Sequence, residues 1–505
     1  MITLKLALWG WPLVTLVLFA MMRPRRAMLA SVIAGALFLP EIQMTPQEGA
    51  PSPDEFKLGI LKFTKANSIS FSALLGVLIF DFRRLRTFRP RWFDIPIVVY
   101  CAAAYFANSG MGDSFYDSLM ASRDQALVWG VPYFLGRLYF TDFDSIRELA
   151  LALVLGGVVY APFALFESIM SPKLNMWVYG FLPGAANEFD RGGGFRPVVF
   201  MSHGLAVGMW TVATAVVAFA LWGSGAVRRI VIWPLNRPVS MALVVLGLLV
   251  TAVMSRSTGA LGIGIAGVLA VLQLRLVKAP VVLAILLVVS PIYITARCSG
   301  WDAQDLIQLM KDQLGPDRAG SFAFRVANEN AIIQKIQSNP PLGSAAFGFG
   351  DRGKAVKVPP MKGKEAMGNL FRGEVTFDSL WGICLGMYGY VGLIGCWTAM
   401  LLPAVRFALY HHPRTWFDPV VAPAAALTVV VICWMIDNIS NAMTNPALIL
   451  VGGALAGVAG AHVPLPGARA VEPEPEPGGE TEPPPESLQD RNRRRGAMVR
   501  HRRFR

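Results

Sequence analysis

Charge is what this chain has least of. Only 16% of its 505 residues are Asp, Glu, Lys or Arg, where a soluble domain carries about 25%. Histidine is as scarce, at five. The cysteines also number five (Cys101, Cys298, Cys384, Cys396, Cys433), none in a Cys-x-x-Cys spacing. That pattern argues against a disulfide framework; four of the five fall in apolar runs and read as small buried hydrophobes. No complete phosphate-cradling P-loop occurs, the acids are scattered rather than clustered for a metal, and the sequence calls for no cofactor. Alternation of apolar and polar residues is missing from the greasy runs, which argues against membrane strands.

What the chain has is length in its apolar runs. Hydrophobic residues make up 54% and the mean hydropathy is +0.48. Runs of roughly 17–25 residues recur, each long enough to cross a bilayer as a helix. They predict an all-α polytopic transmembrane bundle of twelve or thirteen spans: 4–22, 27–43, 67–82, 92–109, 120–139, 146–170, 197–222, 238–254, 257–275, 279–296, 379–406, 419–438 and 446–462. The first run is followed by Arg23-Pro24-Arg25-Arg26 rather than a small-residue cleavage site, so it reads as a retained span and not a signal peptide.

The formal charge of +13 does not point to nucleic acid, because the arginines lie between spans or in the tail. With thirteen spans and the N-terminus outside, the basic connectors Arg23–Arg26, Arg83–Arg91, Arg228–Arg237, Arg275–Lys278 and Arg406–Arg414 all fall on one side. The positive-inside rule makes that side cytoplasmic. The long loops 171–196 and 297–378 then face outward. Residues 1–462 read as one transmembrane domain that includes the 297–378 loop. Residues 463–505, Pro/Glu-rich and then Arg-rich, read as a disordered cytoplasmic tail whose basic end suits anionic lipid.

The outer loop is polar. Val326, Ile332, Ile333 and Ile336 recur at near-helical spacing, with Asn328, Glu329, Asn330, Gln334 and Gln337 elsewhere; this predicts an amphipathic helix over 325–338. Asn339-Pro340-Pro341 would stop it. A second amphipathic helix is expected at 303–314, between an Asp302 cap and Gly315-Pro316. The pair suits a cap on the membrane surface.

Four arginines approach the outer interface from three places: Arg191 and Arg196 in "FDRGGGFRP", Arg256 in "MSRSTGALGIG", and Arg325 at the start of the cap helix. Interfacial anchoring explains any one of them. The set fits an anionic, lipid-linked substrate, since the guanidinium fork matches a diphosphate and the triple glycine permits close backbone approach. His203 in "FMSHGLAVG" is the one histidine expected on the outer side, about two turns into its span; a hydrogen bond within the bundle and a role at a ligand both fit.

Over about Phe189 to Cys396, four segments in order resemble the O-antigen ligase / O-antigen polymerase superfamily: "RGGGFRPVVFMSHGLAVGM", "SRSTGALGIGIAGVL", "FRVANENAIIQKIQSNPPLGSAAFGFG" and "FDSLWGICLGMYGYVGLIG". The resemblance implies a multi-pass protein of the bacterial inner membrane. It also implies a metal-independent transfer of glycan from an undecaprenyl-diphosphate carrier to a glycan or lipid acceptor at the outer leaflet, in lipopolysaccharide or other envelope polysaccharide synthesis. Arg196, Arg256 and Arg325, with Arg191 nearby, would hold the diphosphate. Where the family has a His-Asn pair, this chain has Asp378-Ser379, so Asp378 is the candidate general base, with Glu374 and His203 as further candidates. Two other readings stay open: a transporter or flippase of a lipid-linked or anionic solute, and a non-catalytic polysaccharide assembly protein.

Overall fold

A computed structural model describes residues 2–42, 56–58, 61–183, 189–190, 193–232, 236–277, 279–337, 339–345 and 378–461. The helices are α1 (Ile2–Met21), α2 (Pro24–Phe38), α3 (Lys65–Phe80), α4 (Phe82–Leu85), α5 (Ile95–Gly110), α6 (Phe115–Gln125), α7 (Val131–Tyr139), α8 (Phe143–Met170) and α9 (Leu174–Tyr179). They continue as α10 (Gly204–Ser224), α11 (Met241–Met254), α12 (Thr258–Leu276), α13 (Val281–Cys298), α14 (Gln304–Leu314), α15 (Pro316–Ile336), α16 (Leu380–Tyr410), α17 (Ala422–Ser440) and α18 (Pro446–Val458). Among the described residues strand is confined to two small antiparallel hairpins, β1 (Lys57–Leu58) with β2 (Leu61–Lys62) and β3 (Arg229–Ile232) with β4 (Arg237–Ser240).

Each of the thirteen expected spans corresponds to a helix, the fifth being α6 and α7 joined through a π-turn at Ala126–Gly130. α1, α8, α10, α12, α13, α16 and α17 are long and apolar enough to cross a membrane, and α3, α11 and α18 are shorter apolar helices. The protein is a multi-pass membrane protein. Its centre is α17 and α10, whose apolar stretches are 94% and 83% buried; α1 and α13, at 22%, are peripheral. The exposed faces are greasy: Leu243, Leu246, Val250 and Val253 on α11, and Ile285, Val288 and Ile292 on α13, recur at three- and four-residue spacing, as a stripe turned to lipid requires.

Two boundaries differ most from expectation. The seventh span begins at Gly204 rather than 197, because residues 198 and 199 are held by side-chain hydrogen bonds to α8 and Val199 has φ +52°, outside helical space. The cap helix begins at Pro316 rather than 325. Proline suits the first helical turn, where its missing N–H is no loss, so Gly315-Pro316 ends α14 and starts α15 together. Arg325 is therefore in the middle of α15. Asp302 caps α14 only in part: its carboxylate accepts the Gln304 N–H at 3.2 Å, while the N-cap position is Ala303.

The chain's two ends of the bundle separate its polar groups. The basic connector 23–26, Asp81 and Arg84 just after α3, and the first turns of α8 gather around one cavity, which defines the basic face. The opposite end, here the lid face, carries α14, α15 and the loop before α10. The expected tail, 463–505, lies outside the described residues.

Candidate functional site

The lid face is organised by one carboxylate. Glu167, near the end of α8, is buried and accepts four backbone N–H groups. Its Oε1 takes Lys173 (3.0 Å) and Leu174 (2.9 Å); its Oε2 takes Val198 (2.9 Å) and Val199 (2.7 Å). A buried carboxylate needs such donors, and in return they fix the segment carrying Arg196 and His203. Lys65, at the start of α3, adds a second pin by donating to the Phe200 carbonyl at 3.0 Å. His203 is the N-cap of α10, its Nδ1 accepting the Leu205 N–H at 3.0 Å. It is not two turns inside a helix, because residues 197–203 are not helical.

This segment brings Arg196 to Arg256. Arg196 Nη2 donates to the Arg256 carbonyl at 3.5 Å, and the aliphatic stem of Arg196 lies over Gly204, leaving no room for a side chain there. Arg256 occupies the break between α11 and α12 with φ +52°, a strained setting for a non-glycine residue. Its guanidinium lies against Gly194: a Cβ on that glycine would be 2.6 Å from Arg256 Cζ. The glycine of "RGGGF" is thus needed for close approach to an arginine of the same chain. Gly208 on α10 likewise receives Ser257, whose Oγ would be 2.7 Å from an added Cβ.

The third arginine arrives on the cap. α15 is docked by a buried ion pair, Arg297 Nε to Glu329 Oε2 at 3.0 Å. Tyr293 donates to the same carboxylate oxygen at 2.9 Å, and Arg297 also donates to the Val326 carbonyl, Asn330 Oδ1 and the Trp301 carbonyl. Burial pushes the Glu329 carboxyl above its ordinary range, and Arg297 and Tyr293 draw it back. The expected amphipathic pattern holds for Val326, Ile332 and Ile336, which are buried. Glu329 joins them because Arg297 waits there. Arg325, four residues before Glu329, shares its side of the helix, and its positive charge acts on Asp437 near the end of α17. Arg325 Nε is buried with no hydrogen-bond partner among the described residues.

Asp437 is buried; its Oδ1 accepts Asn441 Nδ2 at 2.8 Å and its Oδ2 has no hydrogen-bond partner among the described residues. α17 meets α12 with Cys433 Sγ 3.8 Å from the Ile263 carbonyl. The two helices run in opposite directions, so Asp437, one turn beyond Cys433, stands level with the first turn of α12, beside the Arg256 break. Asp378 precedes Ser379, the N-cap of α16. Leu380 N donates to the Asn441 carbonyl at 3.0 Å, which places Asp378 at the Asp437 corner.

The Asn-Pro-Pro-Leu-Gly segment does more than end α15. It inserts into α16, which is broken at Gly389 (φ +63°, ψ −162°). Tyr390 N donates to the Pro340 carbonyl (3.0 Å) and Val391 N to the Pro341 carbonyl (3.2 Å). Ser344 N and Ala345 N donate to the carbonyls of Gly386 (2.8 Å) and Met387 (3.0 Å). The groups freed by the break are therefore satisfied by the lid, as the membrane environment requires. Nine residues of α16 precede the break, so the segment reaches about 13 Å down the helix.

Of the residues expected from sequence, Arg196 and Arg256 are in contact, and Arg325 and Asp378 both approach the Asp437 corner. Arg191 and Glu374 lie outside the described residues. Among the described residues, no group of three or more His, Cys, Asp or Glu side chains is gathered as metal ligands would be. Glu167, Arg297 and Asp437 were not expected. Each is a lone charge in or at the end of an apolar run, and that alone signals a buried partner. Comparison of the chain with known protein families, curated proteins and solved structures found no match.

Proposed function

We propose that the chain is a membrane glycosyltransferase of the O-antigen ligase or polymerase kind. It moves a glycan from an undecaprenyl-diphosphate carrier to an acceptor hydroxyl at the outer leaflet of a bacterial inner membrane. The reading is supported above all by the contact of Arg196 with Arg256 at the end of the bundle to which α15 brings Arg325. In the proposed reaction the acceptor oxygen attacks the anomeric carbon and its proton passes to a carboxylate, Asp378 being the candidate. The bond from that carbon to the diphosphate breaks, and the lipid diphosphate leaves with the electron pair. Fixed guanidinium groups favour that developing charge because they need no reorganisation when it appears. His203 keeps an orienting role, since its Nδ1 is engaged with the α10 backbone.

A second reading, transport of a lipid-linked anion, is favoured by the break in α16, because broken helices mark binding sites in transporters. The lid takes up the freed backbone groups of that break, which speaks for the transferase. Replacing Arg256 or Arg325 with Gln separates the two. A transferase defect leaves carrier-linked glycan accumulating on the outer leaflet, and a transport defect leaves it on the inner one. Unchanged polymer output in both variants would refute either role for this site.

A further inference from the structure

The basic face holds a cavity of about 500 Å³, the size of a small-molecule site, that the proposed transfer does not use. It is formed where the start of α2, the α3–α4 junction, the end of α7 and the start of α8 meet. Five arginines line it (Arg23, Arg25, Arg26, Arg84 and Arg147) against three acids, Asp81, Asp144 and Glu148. Its charge is therefore positive by two.

The internal pairing leaves that excess available. Glu148 alone balances two arginines: Arg25 Nε meets its Oε2 at 2.6 Å and Arg26 Nε its Oε1 at 2.5 Å. Asp81 accepts the Tyr139 hydroxyl at 2.8 Å. Arg84 and Arg147 donate to backbone carbonyls, of Leu138 at 3.2 Å and Ala226 at 3.1 Å, which hold their side chains in place without neutralising them. The first turns of α2 and α8 also open here, and the positive ends of helix dipoles add to the field. Fixed guanidinium groups around a cavity between membrane helices are the setting in which a lipid phosphate is recognised.

We propose that this cavity binds a phosphate-bearing anion at the basic face, with Arg23, Arg25 and Arg26 as the groups that grip it and Glu148 as the resident competitor. The site is independent of the lid face, so its failure would leave the transferase reading untouched.

The test uses the full chain in phosphatidylcholine nanodiscs, with bound phosphatidylglycerol measured by native mass spectrometry and inorganic phosphate measured by calorimetry. Arg23→Gln and Arg26→Gln are each expected to weaken binding about fivefold, the typical effect of one basic residue on an anionic surface. Glu148→Gln is expected to strengthen it, because two arginines are released, and misfolding would not mimic that gain. This pattern with phosphatidylglycerol assigns the site to lipid, and the same pattern with inorganic phosphate alone assigns it to a soluble anion. Failure to bind either probe, or a Glu148→Gln protein that binds no better than the wild type, overturns the proposal.

Discussion

Gly194 and Arg256 lie 62 residues apart in sequence, and the guanidinium of one rests where the side chain of the other would be: a Cβ on Gly194 would fall 2.6 Å from Arg256 Cζ. The lid-face loop thereby sets the position of an arginine that belongs to a different pair of helices.

Gly194→Ala is therefore expected to move Arg256 without removing it. Gly194 needs no positive φ, and the displaced group is the tip of a flexible side chain, so the fold should lose less than about 1 kcal/mol. Activity should fall by about a hundredfold, the penalty for an ångström of misplacement. Polymer output together with the melting temperature of the purified protein separates the two effects.

Gly389→Ala should be far more damaging. Gly389 has φ +63° and an added Cβ would collide with the Pro341 carbonyl; a Cβ on Gly343 would sit 2.6 Å from Gly389 N. Either substitution is expected to cost about 3 kcal/mol or more, from strained backbone and a rigid clash together. Gly262→Ala, with open space around it, should be neutral. Thermal unfolding of the three proteins in one detergent provides the check.

Arg297→Ala leaves Glu329 buried and uncompensated, which typically costs about 3–5 kcal/mol. Replacing Arg297 and Glu329 together with leucine should restore most of that stability. Protease sensitivity of α14 and α15, compared between the single and double variants, reads out the docking of the cap.

Glu167→Gln should loosen the segment before α10. An amide offers one acceptor oxygen where four N–H groups now converge, so at least one buried donor is orphaned, at about 1–3 kcal/mol. Faster hydrogen exchange at Val198 and Val199, with α17 unchanged, is the expected signature.

Much of the fold was legible because apolar run length and loop charge are direct readings of the bilayer constraint, and every expected span has its helix. The exceptions have local causes. Residues 197–203 read as helix by hydropathy, yet Glu167, thirty residues upstream, takes the Val198 and Val199 N–H groups. Pro316 read as a stop, though the same ring is compatible with a helix start. At the candidate site the arginines were visible as charges near lipid, and their contacts were not. Whether the Arg325 charge acts on Asp437 depends on how α15 docks, which Arg297 at the end of α13 and Glu329 within α15 decide. The break at Gly389 was hidden as well, since a glycine inside "LGMYGYVGLIG" reads equally as close helix packing.

The most direct measurement compares the affinity of the purified full-length protein for a short polyprenyl diphosphate and for the matching monophosphate. If Arg256 and Arg325 hold one diphosphate, the wild type should prefer it by about tenfold or more, as charge-assisted pairing with a second phosphate implies. Arg256→Gln and Arg325→Gln should each erase most of that preference. An equal affinity for the two ligands, or a preference that survives in both variants, would contradict it.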